Sequence, residues 1–103
     1  MALAHSGTNI VVLYNKSENT AKTISTELEN LGVISQTLKC DVTNPDQIDS
    51  VVSQVIDKFG QIDILVNDAA YNKWIPFNNL DDMTNEEWNK IIDINLTGPM
   101  LFC

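Results

Sequence analysis

The sequence contains few positive charges and no long apolar run. Six Lys and Arg residues stand against fourteen Asp and Glu, for a net charge of −8 at pH 7. Nucleic acids and anionic membrane surfaces are bound by clustered Lys and Arg, so both are disfavoured as partners. No apolar stretch approaches the ~20 residues that span a bilayer, and the first residues lack the regions of a signal peptide. We therefore expect a cytoplasmic protein.

Cysteine is also scarce. Cys40 and Cys103 are the only two, and they have neither metal-ligand nor redox spacing, which is consistent with a reducing compartment. Four acidic residues between 81 and 87 lie at the start of a predicted helix, where the helix dipole already favours them. We predict no metal site. The 103 residues suffice for one domain at most.

Short apolar runs alternate with longer segments of helical periodicity, which indicates an α/β fold with a parallel sheet. We predict strands at 9–14, 35–40 and 62–66. Helices are predicted from Ser17 to Gly32, from Asn44 to Gly60, and from Thr84 to the end, with a loop over 71–83. The two tryptophans, Trp74 and Trp88, are interpreted as packing groups, and His5 as a surface residue.

In open parallel sheets, ligands bind beyond the carboxyl ends of the strands. Polar or small residues stand at each predicted strand end: Asn15 and Lys16, Asp41 and Val42, and then Asn67, Asp68, Ala69 and Ala70. Asn and Asp at any one end also suit an ordinary turn. Three polar strand ends at one edge of a sheet favour a ligand crevice.

Asn95 lies on the apolar stripe of the last predicted helix. Burying an unpaired amide there costs about 1–3 kcal/mol. Pro99, four residues later, has no N–H, so the Asn95 carbonyl loses its usual helical partner and is able to hold a water. Two interpretations remain open: a functional polar spot, or a helix that merely bends near Gly98 and Pro99.

These residues resemble motifs of the short-chain dehydrogenase/reductase superfamily. Residues 62–70, IDILVNDAA, resemble the block LDILVNNAG, and residues 92–98, IDINLTG, resemble its helix motif V-N-x-T-G. Asp41-Val42 resembles the D-V that follows the third family strand. The resemblance is strongest to the 3-oxoacyl-carrier-protein reductase and glucose dehydrogenase branch.

The resemblance implies a site and a reaction. Asp41 and Val42 would contact adenine, Asn67, Ala69 and Ala70 would line the cofactor, and Asn95 would be the catalytic Asn whose carbonyl holds a water in a proton relay. No acidic residue ends the first predicted strand to hold the ribose of NAD, whereas Asn15 and Lys16 suit a 2′-phosphate. The resemblance thus implies NADP(H), although Glu18 argues mildly against it, and a carbonyl or alcohol substrate. It also implies a homo-oligomer for the full-length protein.

The sequence also departs from the family pattern. Asp68 and Ala70 replace Asn and Gly of the family block. The family's first strand, its glycine-rich phosphate loop, the catalytic Ser and the Tyr-x-x-x-Lys pair have no counterpart in residues 1–103. We therefore expect a partial, Rossmann-like, doubly wound parallel sheet that lacks the first strand and the C-terminal half, with no turnover by this chain alone.

Two further hypotheses come from other classes. A non-catalytic phosphoacceptor signalling module also places acidic residues at strand ends, here Asp41 and Asp68, but it needs an acidic pair after its first strand. Asn15-Lys16 does not supply that pair. The chain is alternatively an inert remnant or an interaction fragment.

Overall fold

The computed structural model describes all residues, 1–103. Its elements follow the chain in the order α1 (Ala2–His5), β1 (Ile10–Tyr14), α2 (Glu18–Asn30), β2 (Ser35–Lys39), α3 (Pro45–Phe59), a 3₁₀ helix (Phe77–Asp82), α4 (Asn85–Ile92), a π-helical segment (Asp93–Thr97) and α5 (Gly98–Phe102). No helix combines the length and the apolar character that crossing a membrane requires.

The sheet consists of β1 and β2, paired in parallel. Ile10 lies opposite Ser35 and Tyr14 opposite Lys39. The ladder continues at both ends, since Ile10 N–H donates to the Ile34 carbonyl and Cys40 N–H donates to the Tyr14 carbonyl, at 3.0 and 2.8 Å. The carboxyl ends of both strands therefore lie at one edge of the sheet.

Helices cover both faces of this small sheet, as the sequence predicts for a doubly wound fold. On one face, Ile10 and Val12 pack with Leu28 of α2 and with Ala4. On the other face, Val11 and Leu13 pack against a cluster that α3 supplies: Ile48, Val51 and Val55, together with Cys40. The alternation along β1 follows from the two-residue period of a strand.

Two of the three predicted helix caps form as side-chain hydrogen bonds. Asn44 Oδ1 accepts from the N–H groups of Asp46 and Gln47 at 3.1 and 3.2 Å, with Pro45 as the first helical residue. Thr84 Oγ1 accepts from Glu87 N–H at 3.1 Å. Ser17 stands at the N-cap position of α2, but its side chain makes no capping bond. Ser17 therefore marks the start of α2 correctly, although the predicted capping hydrogen bond does not form.

The predicted third strand at 62–66 does not form. Residues 61–70 have no regular structure and are all exposed, including Ile64 at 54% and Val66 at 67%. In the strand order 3-2-1-4-5-6, β1 and β2 correspond to strands two and three, and 62–66 to strand four. Strand one, which would lie between β1 and 62–66, is absent from these residues. The apolar run therefore has no backbone to pair with.

The interpretation of the tryptophans as packing groups is wrong. Trp74 is 82% exposed and Trp88 is 57% exposed. Phe77, in the same loop as Trp74, is 94% exposed. The 103 residues supply no element that covers this side of the loop and of α4, so aromatic side chains that would fill a core stay in solvent.

The last predicted helix is present, but one turn of it is π-helical. The chain is helical from Asn85 to Phe102, and Gly98 N–H donates to the Asp93 carbonyl five residues earlier. This wider turn holds Asn95 and ends where Pro99 interrupts the normal bonding pattern. Single π-helical turns are frequent at functional sites.

The fold buries little of the chain. The radius of gyration is 16.2 Å, whereas a compact domain of this length has a radius of about 13 Å. The accessible surface is 7390 Å², against about 5,800 Å² expected for a folded monomer of this mass. The excess agrees with the unpaired segment at 61–70 and with the exposed loop after it.

We expect the isolated 103-residue chain to be marginally stable and prone to aggregate, because it exposes apolar surface and an unpaired sheet edge. Thermal unfolding followed by circular dichroism should show a broad, weakly cooperative transition, and light scattering should show self-association. A soluble monomer with a sharp, cooperative melt would contradict this prediction.

Candidate functional site

Asp41, two residues after the end of β2, is held by hydrogen bonds at the carboxyl edge of the sheet. Its N–H donates to Gln47 Oε1 at 2.7 Å. Its carboxylate accepts from the N–H and the hydroxyl of Thr43, at 2.9 and 2.7 Å. The two bonds from Thr43 lower the pKa of Asp41, and the nearby Lys16 ammonium lowers it further. Asp41 is therefore an ionised and oriented acceptor.

The residues of two predicted strand ends meet in one small crevice. Val42, Asn67 and Ala69 line it together with Pro99 and Phe102 of α5. Gly98 lets α5 approach this closely, because a Cβ at that position would lie 2.8 Å from the Val42 carbonyl oxygen. The structure thus brings the second and third predicted strand ends together against the helix that comes after Asn95.

Ala70 and Asp68 belong to the same segment as Asn67 and Ala69 but lie outside the crevice lining. All four are exposed. No hydrogen bond joins residues 61–70 to another element. The segment is therefore not held by pairing within a sheet, and it is joined to the hydrogen-bonded residues Gly60 at one end and Tyr71 at the other.

Asn15 and Lys16 follow β1 at the same carboxyl edge and are exposed. Glu18, the one acidic residue close to them in sequence, is bonded to Lys22 Nζ at 2.6 Å in the first turn of α2. This ion pair lowers the pKa of Glu18 and raises that of Lys22. Lys16 itself has no carboxylate within salt-bridge distance. Its ammonium is free to bind an anion.

Asn95 uses its side-chain amide to hold the backbone of Tyr71. Asn95 Oδ1 accepts from Tyr71 N–H at 2.8 Å, and Asn95 Nδ2 donates to the Tyr71 carbonyl at 2.8 Å. Of the two interpretations drawn from sequence, the structure favours an organised polar spot, because both ends of the amide are satisfied. The bond partner is the residue immediately after Ala70.

The Tyr71 side chain is also fixed. Its hydroxyl donates to Glu87 Oε2 at 2.9 Å, and Lys90 Nζ lies 4.0 Å from its ring centroid. Lys73 Nζ lies 3.6 Å from Glu87 Oε1. The hydroxyl bond, and then the two ammonium groups, lower the pKa of Glu87. Glu87 is consequently ionised at neutral pH.

Sequence reasoning misses these contacts. The capping pattern explains Gln47 as part of a helix start, yet Gln47 also binds Asp41 N–H. The same kind of pattern explains Glu87 as a first-turn acid, and Tyr71 only begins a predicted loop. No sequence signal links Tyr71 to Glu87, since an irregular loop separates them.

The structure brings no group of three or more His, Cys, Asp or Glu side chains into an arrangement that could hold a metal ion. The acidic residues between 81 and 87 do not form such a group. Cys40 is buried in the core, and burial raises the pKa of its thiol, so it is an unreactive packing group.

A family model described as enoyl-(acyl carrier protein) reductase matches residues 1–103. A curated relative, 3-oxoacyl-[acyl-carrier-protein] reductase of Staphylococcus epidermidis, is 34% identical over 98 residues, which cover 95% of this chain and 39% of the relative. The chain thus spans about two fifths of that relative's length.

Solved structures show the same fold. NADPH-dependent 3-quinuclidinone reductase from Rhodotorula rubra superposes with a TM-score of 0.85 at 25% identity, over 98% of this chain and 37% of that one. An NAD⁺-bound xylitol dehydrogenase superposes with a TM-score of 0.86 at 28% identity, over 97% of this chain and 37% of that one. The partial doubly wound sheet predicted from sequence is confirmed.

We expect Thr43→Ala to raise the pKa of Asp41 toward its ordinary value, because the variant loses the hydroxyl bond and keeps only the backbone bond. An NMR titration of the carboxyl carbon measures this directly. Thr43→Ser retains the hydroxyl and is the matched control. A depressed pKa stabilises the fold above the unfolded value of about 3.9, and the effect is lost as pH falls through the folded value.

The stability difference between wild type and Thr43→Ala should therefore be full at neutral pH and vanish in strong acid. An unchanged Asp41 pKa in Thr43→Ala would contradict the assignment of this bond.

Proposed function

Because the chain belongs to the short-chain dehydrogenase/reductase superfamily, we propose that residues 1–103 are part of an NADP(H)-binding Rossmann domain. The complete protein would be an oxidoreductase that transfers hydride between the nicotinamide and a carbonyl or alcohol carbon. The observation that carries this proposal is the crevice where Val42, Asn67 and Ala69 meet at the carboxyl edge of the sheet. That edge is where open α/β sheets bind dinucleotides.

Charge at the same edge supports NADP(H) over NAD(H). Lys39 ends β2 opposite Tyr14, so its ammonium and that of Lys16 belong to neighbouring strand ends. These are two of only six positive charges in a chain of net charge −8. Glu18, whose carboxylate would favour NAD(H), forms an ion pair with Lys22. An uncommitted ammonium beside the ribose site fits a 2′-phosphate. The NAD⁺-bound xylitol dehydrogenase shows that the same fold also accepts NAD⁺.

The cofactor, when bound, supplies the hydride chemistry. The residues of this chain would bind and orient the cofactor. Asp41 and Val42 would contact the adenine end, and Asn67, Ala69 and Ala70 would line the path of the cofactor. The role proposed for Asn95 combines two features: its side chain fixes Tyr71, and its carbonyl lies four residues before Pro99, which has no N–H. That carbonyl is suited to hold a water for proton transfer.

Residues 1–103 contain neither the Tyr-x-x-x-Lys pair nor a glycine-rich phosphate loop. We propose that the complete protein is a homo-oligomer, with the helical stretch that carries Asn95, where Leu96 is 61% exposed, at the interface. We propose a small-molecule carbonyl or alcohol as substrate, with no nucleic acid or membrane partner.

We expect the polypeptide that contains residues 1–103 together with the glycine loop and the Tyr-x-x-x-Lys pair to oxidise NADPH in the presence of a carbonyl substrate. Absorbance at the reduced-nicotinamide band measures the reaction against a panel of ketones and 3-oxoacyl thioesters. Residues 1–103 alone should show no turnover. Turnover by the pure 103-residue chain, or an inactive complete protein that binds neither cofactor, would contradict the proposal.

We expect Lys16→Gln in the complete protein to weaken NADPH binding about tenfold, or ~1.4 kcal/mol, because one charge-assisted bond to phosphate is lost. NADH binding should be unchanged, since NADH has no 2′-phosphate. Cofactor fluorescence measures both dissociation constants. Lys58→Gln, in the last turn of α3, is the control for lost charge. Equal weakening for both cofactors would refute the role of Lys16.

A further inference from the structure

Tyr71 is held at three points by one helical stretch. Its backbone N–H donates to Asn95 Oδ1 and its carbonyl accepts from Asn95 Nδ2, its hydroxyl donates to Glu87, and its ring faces the Lys90 ammonium. Glu87 and Asn95 are eight residues apart, about 12 Å along a helix. The tyrosine therefore lies along the helix with its backbone at one end and its hydroxyl at the other.

This arrangement has a consequence for the segment that precedes it. Residues 61–70 make no hydrogen bond to another element and are all exposed. Tyr71 is therefore the first position after the crevice-lining residues that is hydrogen-bonded to the rest of the structure. A displacement of Tyr71 would be transmitted to Ala70 and Ala69, which lie one and two residues before it in the chain.

Other interactions hold Glu87 in place for its contact with the Tyr71 hydroxyl. Its N–H is held by Thr84 Oγ1 at the helix start, which fixes the backbone from which its carboxylate extends. Lys73 Nζ approaches its second oxygen at 3.6 Å. A hydrogen bond from a hydroxyl to an ionised carboxylate is stronger than one between neutral groups. The contact between the Tyr71 hydroxyl and Glu87 is therefore supported by neighbouring interactions on both the backbone and the carboxylate of Glu87.

We propose that Tyr71 and Glu87 are positioning residues that set the place of the crevice-lining segment Asn67–Ala70, with the Tyr71 hydroxyl as the link. The inference rests on the proposed function, because it assigns the consequence to cofactor binding. The hydrogen bond from the Tyr71 hydroxyl to Glu87 holds the side chain of Tyr71, in addition to the two hydrogen bonds by which Asn95 holds its backbone. Neither Tyr71 nor Glu87 touches the crevice itself.

The test uses the complete polypeptide with Tyr71→Phe, Glu87→Ala and Glu87→Gln. Phe keeps the ring, its contact with Lys90 and the backbone bonds to Asn95, and loses only the hydroxyl. Gln keeps an acceptor oxygen and loses the charge. Glu86→Ala is the matched control, since Glu86 is the adjacent, exposed glutamate of the same turn and its side chain makes no hydrogen bond or ion pair.

We expect Tyr71→Phe and Glu87→Ala to raise the Kd for NADPH by about three- to tenfold, with Glu87→Gln closer to wild type. Amide hydrogen exchange in peptides covering residues 67–74 should accelerate in the first two variants, while exchange in α2 and α3 stays constant. Glu86→Ala should match wild type in both measurements.

A general loss of stability would give a different result: faster exchange throughout and an unchanged Kd for the folded fraction. That outcome, or a Tyr71→Phe variant equal to wild type in both measurements, would overturn the inference. If wild type binds no nicotinamide cofactor, the proposed function fails. The exchange difference between Glu87→Ala and Glu86→Ala then still reports whether the hydroxyl bond positions residues 67–70.

Discussion

The parallel pairing of β1 with β2 is the constraint on which the rest of the structure depends. Its register, Ile10 with Ser35 through Tyr14 with Lys39, aligns the two carboxyl ends at one edge. Since side chains alternate across a strand, the same ladder presents Val11 and Leu13 to α3 while Ile10 and Val12 face α2. Both small cores and the position of Asp41 depend on this one ladder. Beyond residue 60 the chain has no strand to extend it, and order there comes from other contacts.

Those contacts are made by side chains rather than by a sheet. The Asn95 amide bonds both the N–H and the carbonyl of Tyr71, with both distances at 2.8 Å. Gly98 allows α5 to lie against Val42, which closes the crevice from the opposite side. The π-helical turn Asp93–Thr97, which holds Asn95 and comes just before Gly98, fits the interruption by Pro99. A short helical stretch therefore performs two tasks: it joins the Asn67–Ala70 segment to the sheet edge, and it carries the proposed catalytic Asn.

The charge at the carboxyl edge depends on which residues form ion pairs and hydrogen bonds, and not only on the net charge of the chain. The chain is strongly acidic, yet Glu18 is engaged by Lys22, and Asp41 is engaged by Thr43. Lys16 lies close enough to Asp41 to lower its pKa and has no salt-bridge partner of its own. Net charge alone would argue against an anionic ligand. The local arrangement of lysines reverses that argument at the one edge where a dinucleotide binds in such folds.

The sequence by itself determined the elements whose signals are local: the 3.6-residue stripe and Asn44 cap of α3, the apolar run of β1, the Thr84 cap and the residues Asp41 and Val42 that follow β2. Periodicity and capping depend on neighbours within one turn, so they can be read without a fold. Tertiary structure alone decided the rest. The run at 62–66 has every sequence property of a strand but no partner, and a strand exists only as part of a ladder. Trp74 and Trp88 are apolar but uncovered, because burial depends on what else the chain supplies. The bond between Tyr71 and Glu87 joins two residues across an irregular loop, and only the folded chain brings them together.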